Sequence, residues 1–126
     1  YTHNVGVLST IDRTGNLSAA PVYYVADNDS VYILTKSDTT KARNIFVHNQ
    51  VALTVFEELT YESFQTRGYA ELEHDNDVCQ RIYKQITSIR NMSDQSTLPP
   101  VTKIQEGSYV VIRIQFTEVK YYKYKD

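Results

Sequence analysis

Short apolar runs alternate with polar, turn-forming residues along the first third of the chain, a pattern typical of β-strands joined by tight turns. The run over residues 5–11 precedes a polar turn at 12–16, and a second run returns over residues 17–25. This order predicts a β-hairpin. A turn at residues 26–30 and a third strand over 31–35 extend the hairpin into a three-stranded meander.

Two later segments repeat apolar residues at helical spacing. Asp38 or Thr39 can cap a first helix that runs to about His48. The inner face of this helix is predicted to hold Ala42, Ile45 and Phe46. One of residues 75–77 can cap a second helix, whose apolar positions are Val78, Ile82, Ile86 and Ile89.

Three further strands are predicted in the second half of the chain. Residues 51–56 alternate cleanly, with Val51, Leu53 and Val55 on one side. A longer strand over residues 61–74 contains Gly68, which indicates a bulge or bend. Residues 91–107 form a polar, proline-containing loop before a last strand over residues 109–122. The last strand is predicted to alternate, with Val110, Ile112, Ile114 and Phe116 inward and Arg113 and Gln115 outward.

About six strands with two short helices predict a mainly β fold, an antiparallel barrel that is closed or nearly closed. The strands do not alternate with helices, so a parallel sheet is excluded. A length of 126 residues predicts one domain over residues 1–126.

Composition narrows the classes of function. Thirteen basic and 15 acidic side chains give a formal net charge of −2, which argues against nucleic-acid binding because no basic field faces a phosphate backbone. No apolar run approaches the roughly 20 residues that cross a bilayer, so no membrane association is predicted. Cys79 is the only cysteine, which precludes an intrachain disulfide and favours the cytoplasm. A removed signal peptide is also compatible with a sequence that begins at Tyr1.

The segment over residues 34–44 carries the strongest indication of chemistry. A strand ends there, and hydroxyl residues and three cations surround the start of a helix. Free N–H groups and the positive end of the helix dipole favour a phosphate at such a position. Lys36 or Lys41 can neutralise its charge. From composition alone, the simpler interpretation is a capped helix with a solvated charged face.

The order of short motifs adds a resemblance. Pro-Val-Tyr-Tyr at residues 21–24, a strand ending in Thr35 and a Thr-Thr-Lys helix start at 39–41 follow one another. Asn49 then precedes a Val-Ala-Leu strand, and the match continues through Gly-Tyr-Ala at residues 68–70 and the next helix. In this order the chain resembles the FMN-binding split-barrel family related to pyridoxamine 5'-phosphate oxidase.

The resemblance implies an FMN-dependent oxidoreductase with a six-stranded split β-barrel. Lys41 would contact the FMN phosphate, with Thr39, Thr40 and Lys36 adding hydrogen bonds or charge. NAD(P)H or another reductant is the electron donor that such an activity calls for. The alternatives are a flavin-binding or flavin-sensing module without turnover, or a related barrel that holds haem or a deazaflavin.

The resemblance also implies where the rest of the flavin would lie. The backbone of Pro21, Val22 and Tyr23 would border the isoalloxazine ring, and Thr35 would lie beside the ribityl chain or the ring. Relatives form homodimers with two flavin sites at the interface. Ser63 falls near a polar flavin contact that comes from the partner subunit.

Several positions depart from pyridoxamine 5'-phosphate oxidase itself. That enzyme carries Arg near the position of Ala20, Lys near Val25 and Arg at the position of Thr40. Gln50 also replaces the usual Pro after Asn. These differences argue against oxidation of pyridoxamine phosphate.

The remaining reactive residues have simpler explanations. His3, His48, His74 and Cys79 share no metal-ligand spacing, so no metal site is predicted. Tyrosines alternate with lysines over residues 120–125, a pattern that fits an interface strand better than base stacking. In the homodimer implied by the resemblance, Tyr121 and Tyr122 would close the flavin site.

Overall fold

The strand-forming runs of the sequence close into a barrel with two helices packed against it. The computed structural model describes residues 5–27, 30–90 and 109–124. Its elements are β1 (Val5–Ile11), β2 (Leu17–Asp27), β3 (Ser30–Lys36), α1 (Thr40–Val47), β4 (Gln50–Glu57), β5 (Glu62–Leu72), α2 (Asn76–Arg90) and β6 (Tyr109–Lys123). Each predicted strand and helix is present, with small differences at the ends.

The strands follow the order β1-β2-β3-β6-β5-β4 around a closed barrel. Every neighbouring pair is antiparallel. The barrel closes where β1 meets β4, with Leu8 paired to Leu53. The prediction of a mainly β, six-stranded antiparallel barrel is therefore confirmed.

Alternate strand residues fill the barrel, as expected for strands with one face in a core. The buried cluster consists of Leu8, Val22, Tyr24, Ile33, Ile45, Val51, Leu53, Val55, Ala70, Ile112 and Ile114. Val110 and Phe116 pack against this cluster in half-buried positions, and Gln115 is exposed. The predicted inward sides of β4 and β6 are thus confirmed. Burial of each large aliphatic side chain contributes about 1.5–3 kcal/mol to stability.

Helix α2 covers the outer face of β2, β3 and β6. A second cluster is buried there, formed by Val25, Tyr32, Cys79, Ile82, Ile86 and Val111. Asp75 caps the helix, because its carboxylate accepts hydrogen bonds from the N–H groups of Asp77 at 2.9 Å and Val78 at 3.3 Å. The helical spacing is confirmed through Ile86, whereas the side chain of Ile89 lies outside the described residues.

Helix α1 lies across one end of the barrel, since it contacts β1, β3 and β5, which are not neighbours around the wall. Ala42, Asn44 and Ile45 are buried beneath it. The prediction that Phe46 faces inward is wrong, because this side chain is 61% exposed. The buried arc of the helix includes the polar Asn44, which turns Phe46 toward solvent.

Local backbone geometry explains the ends of β5 and its central irregularity. Tyr61 has φ 55°, so the left-handed turn residue precedes the strand, which starts at Glu62 rather than at residue 61. The register with β6 shifts between Arg67 and Gly68. Arg67 pairs with Glu118 and Gly68 with Phe116, so the predicted irregularity is present beside Gly68, but the extra residue of the bulge is Thr117 in β6.

Two predicted loops differ from or lie beyond the described part of the chain. Part of the turn expected at residues 26–30 belongs to strands, because β2 continues to Asp27 and β3 starts at Ser30; residues 28–29 lie outside the described residues. The loop predicted over residues 91–107 lies outside the described residues. Within the described ranges, neither α1 nor α2 has the length and hydrophobicity that a membrane-spanning helix needs.

Candidate functional site

The turn between β3 and α1 gathers hydroxyl groups into one corner, residues 35–43, called here the β3–α1 corner. Thr39 is the N-cap of α1, and its Oγ1 accepts a hydrogen bond from Ala42 N at 3.3 Å. The same hydroxyl donates to the carbonyl of Lys36 at 3.0 Å and lies 3.0 Å from Thr35 Oγ1. A hydroxyl has one proton, so Thr35 is the donor in the Thr35–Thr39 bond. Both hydroxyl protons form hydrogen bonds within the corner, and these bonds hold the turn in place.

The first turn of α1 supplies backbone donors to the same corner. The first bond of the helix runs from Arg43 N to Thr39 O at 3.0 Å. Among the described residues, no backbone carbonyl accepts a hydrogen bond from the N–H of Thr40 or Lys41. Two N–H groups and the positive end of the helix dipole therefore face outward together. This arrangement suits an anion with several oxygen atoms.

Three cationic side chains and one carboxylate, Asp38, give the corner a net charge of +2 (3 − 1). Lys36 is exposed at the end of β3, and Lys41 is half-buried in the first helical turn. The guanidinium of Arg43 folds back toward the helix start, where Nη1 donates to Asp38 O and Nη2 donates to Thr40 Oγ1 at 3.4 Å. No role is predicted for Arg43 from the sequence. Its position three residues after Thr40, on the same face of α1, is the pattern that indicates their contact.

Strand β2 runs beside the corner. It carries three of the residues predicted for the flavin site, namely exposed Pro21, buried Val22 and half-buried Tyr23. β2 and β3 are antiparallel, with Tyr24 opposite Ile33. The β2–β3 ladder ends at this pair, two residues before Val22 on β2 and Thr35 on β3. Thr35 and the start of α1 share the corner, and the residues predicted on β2 lie just past the adjoining end of the ladder.

Ser63 lies far from that region within one chain. It pairs with Tyr122 near the end of β6, whereas Thr35 pairs with Val110 near its start. Twelve residues separate these two positions of β6 (122 − 110), a span of about 40 Å in an extended strand. Ser63 is only 4% exposed, and its Oγ lies 3.4 Å from Tyr124 Oη.

Aromatic side chains occupy both faces of the ribbon near Ser63. On the outer face, the ring of Tyr124 lies 6.3 Å from Phe56 and stacks on Tyr122 at 6.3 Å between centroids. On the other face, Tyr121 packs 5.2 Å from Phe64 between centroids, and its hydroxyl donates to Glu62 Oε2 at 2.6 Å. Hydrogen bonds from Thr60 and then Tyr121 lower the pKa of Glu62.

A cleft of about 420 Å³ opens on the outer face of the barrel. It is lined by Ser9, Ile11, Leu17, Gln50, Val51, Ala52, Arg67, Gly68, Tyr69 and Thr117. Within the described ranges, Arg67 is its only cationic side chain, and Arg67 Nη2 is 3.2 Å from Glu118 Oε2. No residue predicted for the flavin site is among these lining residues.

Metal chemistry has no donor set in the described part of the chain. Among residues 5–27, 30–90 and 109–124, no three side chains of His, Cys, Asp or Glu are grouped to hold a metal ion. Burial raises the pKa of Cys79, and the nearby carboxylates of Glu73 and Asp75 raise it further. This thiol is therefore an unreactive core residue.

The closed six-stranded barrel and the helix across its end together define a split β-barrel protein. The chain belongs to the pyridoxamine 5'-phosphate oxidase family, whose model matches residues 2–123. It has no significant match among curated protein sequences.

Solved structures with the same fold differ in what they bind. A pyridoxamine 5'-phosphate oxidase-related, FMN-binding protein from Nostoc punctiforme has a TM-score of 0.69 at 12% identity, covering 95% of this chain and 74% of its own. The heme storage protein HutZ from Vibrio cholerae has a TM-score of 0.73 at 16% identity, covering 96% and 86%. An F420 reductase has a TM-score of 0.75 at 17% identity, covering 94% and 91%. At these identities the similarity establishes the fold alone.

Proposed function

We propose that the protein binds FMN at the β3–α1 corner and acts as an FMN-dependent oxidoreductase. The observation that carries this proposal is the corner itself, with two outward N–H groups and a net charge of +2 beside β2. A phosphate monoester dianion fits that donor set. The similar fold of the FMN-binding protein from Nostoc punctiforme supports FMN as the bearer of the phosphate.

In this proposal, different residues of the corner contribute charge, hydrogen bonds and the shape of the turn to phosphate binding. Lys41 is half-buried, so its ammonium group makes the least screened ionic contact with the phosphate. Lys36 and Arg43 add charge from exposed positions. The N–H groups of Thr40 and Lys41 donate to phosphate oxygens, while the Thr35 and Thr39 hydroxyls hold the turn in shape.

The isoalloxazine ring would lie against the backbone of β2 at Pro21, Val22 and Tyr23, with the ribityl chain passing Thr35. When bound, FMN supplies the hydride or electron chemistry. The chain supplies the phosphate contacts, the orientation of the ring and hydrogen bonds to its polar edge.

We further propose that two copies of the chain form a homodimer through the outer face of β1, β4 and β6. Large apolar side chains on this face are 43–55% exposed: Val5, Val7, Phe56, Tyr122 and Tyr124. A contiguous patch of this kind is typical of a protein–protein interface. Ser63 lies within the patch, so dimerisation offers a route by which Ser63 and the tyrosines of β6 approach the flavin of the partner subunit.

We propose that pyridoxamine phosphate is not the substrate of this protein. The position at which that oxidase carries a Lys is Val25 here, which is 5% exposed and packs beneath α2. Ala20 and Thr40 replace two of its arginines. These three differences from the oxidase argue against pyridoxamine phosphate as the substrate.

The colour of the purified protein separates FMN from the other ligands found on this fold. FMN would give a band at about 450 nm that is released as flavin on denaturation. A Soret band would instead indicate haem, which the similarity to HutZ makes the second candidate. A bound deazaflavin would contradict the proposal as well, and mass spectrometry of the released ligand distinguishes it from FMN.

Turnover needs its own measurement. NAD(P)H is the reductant that we propose. It is present in the cytoplasm, the location predicted from a sequence with a single cysteine. Steady oxidation of NAD(P)H by the FMN-loaded protein in the presence of an electron acceptor would support an oxidoreductase. Tight FMN binding with no reduction by any tested donor would instead assign the chain to the flavin-binding modules.

A further inference from the structure

A buried hydrogen bond ties helix α1 to the barrel wall. Asn44 Nδ2 donates to Thr10 Oγ1 at 3.0 Å, across 34 positions of sequence. Asn44 is 6% and Thr10 is 1% exposed. A buried polar pair costs stability unless its groups meet in good geometry. The bond therefore fixes the distance and direction between helix and wall more tightly than apolar packing does.

The bond links the two elements that carry the candidate site: Asn44 is on α1, and Thr10 is on the strand that pairs with β2. Asn44 lies one turn after Lys41, so it is rigidly connected to the phosphate-binding start of α1. Thr10 lies on β1, where it pairs with Ser18 of β2. The same strand β2 continues into Pro21, Val22 and Tyr23.

Other attachments of α1 are less directional. Ile45 enters the core cluster, and apolar contacts of this kind tolerate small shifts and rotations. The Thr39 cap holds the helix to β3 through Lys36 and Thr35. Among the described residues, the Asn44–Thr10 bond is the one side-chain hydrogen bond that joins α1 to the β1–β2 hairpin.

We infer that Asn44 and Thr10 are positioning residues that set the separation between the phosphate-binding start of α1 and the ring-binding part of β2. This inference rests on the proposed FMN site. If α1 were free to shift, β2 would still bind the flavin ring, but the N–H groups of α1 and Lys41 would align less well with the phosphate. The bond therefore determines the preference for FMN over riboflavin, which lacks only the phosphate.

The test is the ratio of FMN affinity to riboflavin affinity, measured by fluorescence titration of the apoprotein. Thr10→Val removes the acceptor and should lower this ratio by about tenfold, the effect of a misaligned charge-assisted hydrogen bond. Thr10→Ser keeps the hydroxyl and should retain the wild-type ratio. Ile45→Val is the matched control, because it removes one buried methyl group from α1 but keeps the bond, so it should retain the wild-type ratio.

A double variant separates positioning from a general loss of stability. Thr10→Val with Asn44→Leu leaves no buried polar group unpaired, so it should fold, yet it should keep the lowered ratio. A folded double variant with the wild-type ratio would overturn the inference, and so would an equal loss of both affinities in Thr10→Val. If the wild-type protein binds neither FMN nor riboflavin, the proposed function itself fails. Tight FMN binding with an unchanged ratio in the variants overturns the positioning role alone.

Discussion

In the proposed site, phosphate binding would depend most on Lys41, because this side chain joins a positive charge to a half-buried position in the first turn of α1. We expect Lys41→Ala to weaken FMN binding by about 1.5–3 kcal/mol, the value of a charge-assisted hydrogen bond. Lys84→Ala, which removes an exposed lysine from α2, is the matched control and should leave the affinity unchanged. Isothermal titration calorimetry of the apoproteins measures both. Wild-type affinity in the Lys41→Ala protein would remove this lysine from the site.

Cys79 gives a prediction about pH. Burial and two nearby carboxylates raise the pKa of its thiol, and Sγ donates to the carbonyl of Glu73 at 3.3 Å. The thiol therefore stays protonated at neutral pH, and we expect slow reaction of the native protein with Ellman's reagent. The reaction should accelerate as the pH rises above the ordinary thiol pKa, and it should be immediate in urea. The stability linked to this group is complete below the ordinary pKa and is lost as the pH rises through the raised one. Rapid labelling of the folded protein at neutral pH would contradict the burial.

At the residue scale, the sequence predicts local contacts better than distant ones. Thr39 was one of two predicted caps, because capping depends on a few neighbouring residues. The hydrogen bond between Asn44 and Thr10 joins positions far apart in the chain, and no local pattern indicates it. The same bond explains the error at Phe46, since a buried polar residue shifted the inner face of the helix.

The β5–β6 ribbon depends on Gly68. A Cβ at this position would lie 2.0 Å from the carbonyl oxygen of Gln115, which is backbone and cannot move aside cheaply. We expect Gly68→Ala to destabilise the protein by about 1–3 kcal/mol, the usual cost of overpacking. Urea denaturation followed by circular dichroism gives the value. Gln85→Ala is the control, because Gln85 is exposed on α2 and both residues are good helix formers, so its midpoint should equal that of the wild type. Equal midpoints for Gly68→Ala and the wild type would contradict the close approach.

At the element scale, alternation of apolar residues was enough to predict all six strands. The ends of two strands differ from the prediction because turn geometry sets where a strand begins or ends. The left-handed Tyr61 delays the start of β5 by one residue, and β2 continues two residues beyond its predicted end at residue 25. The order of the strands around the barrel was not predicted, since periodicity does not specify which strands pair.

The proposed homodimer is tested at the scale of the whole molecule. Phe56→Glu places a charge in the exposed apolar face and should convert the dimer to a monomer in sedimentation velocity, because burying an unpaired carboxylate is costly. Leu17→Glu is the control: Leu17 is 79% exposed and pairs with Ile11, at the opposite end of β1 from Val5, and this variant should remain dimeric. A wild-type protein that sediments as a flavin-saturated monomer would contradict the shared site.

Sequence and structure together localise one half of the candidate site more firmly than the other. The β3–α1 corner consists of residues that are close in the chain, so the sequence predicts which residues form it, although not their hydrogen bonds. Ser63 lies at the far end of β6 from that corner, and its predicted contact with a flavin requires a second subunit. That contact is a property of an assembly, which neither periodicity nor motif order can specify.

The central claim is that the β3–α1 corner binds the FMN phosphate, and a crystal structure of the protein with FMN tests it most directly. We predict phosphate oxygens within about 3 Å of the N–H groups of Thr40 and Lys41, with the Lys41 ammonium group in contact with the same phosphate. A flavin bound elsewhere, or a corner that stays open to water at saturating FMN, would contradict the account.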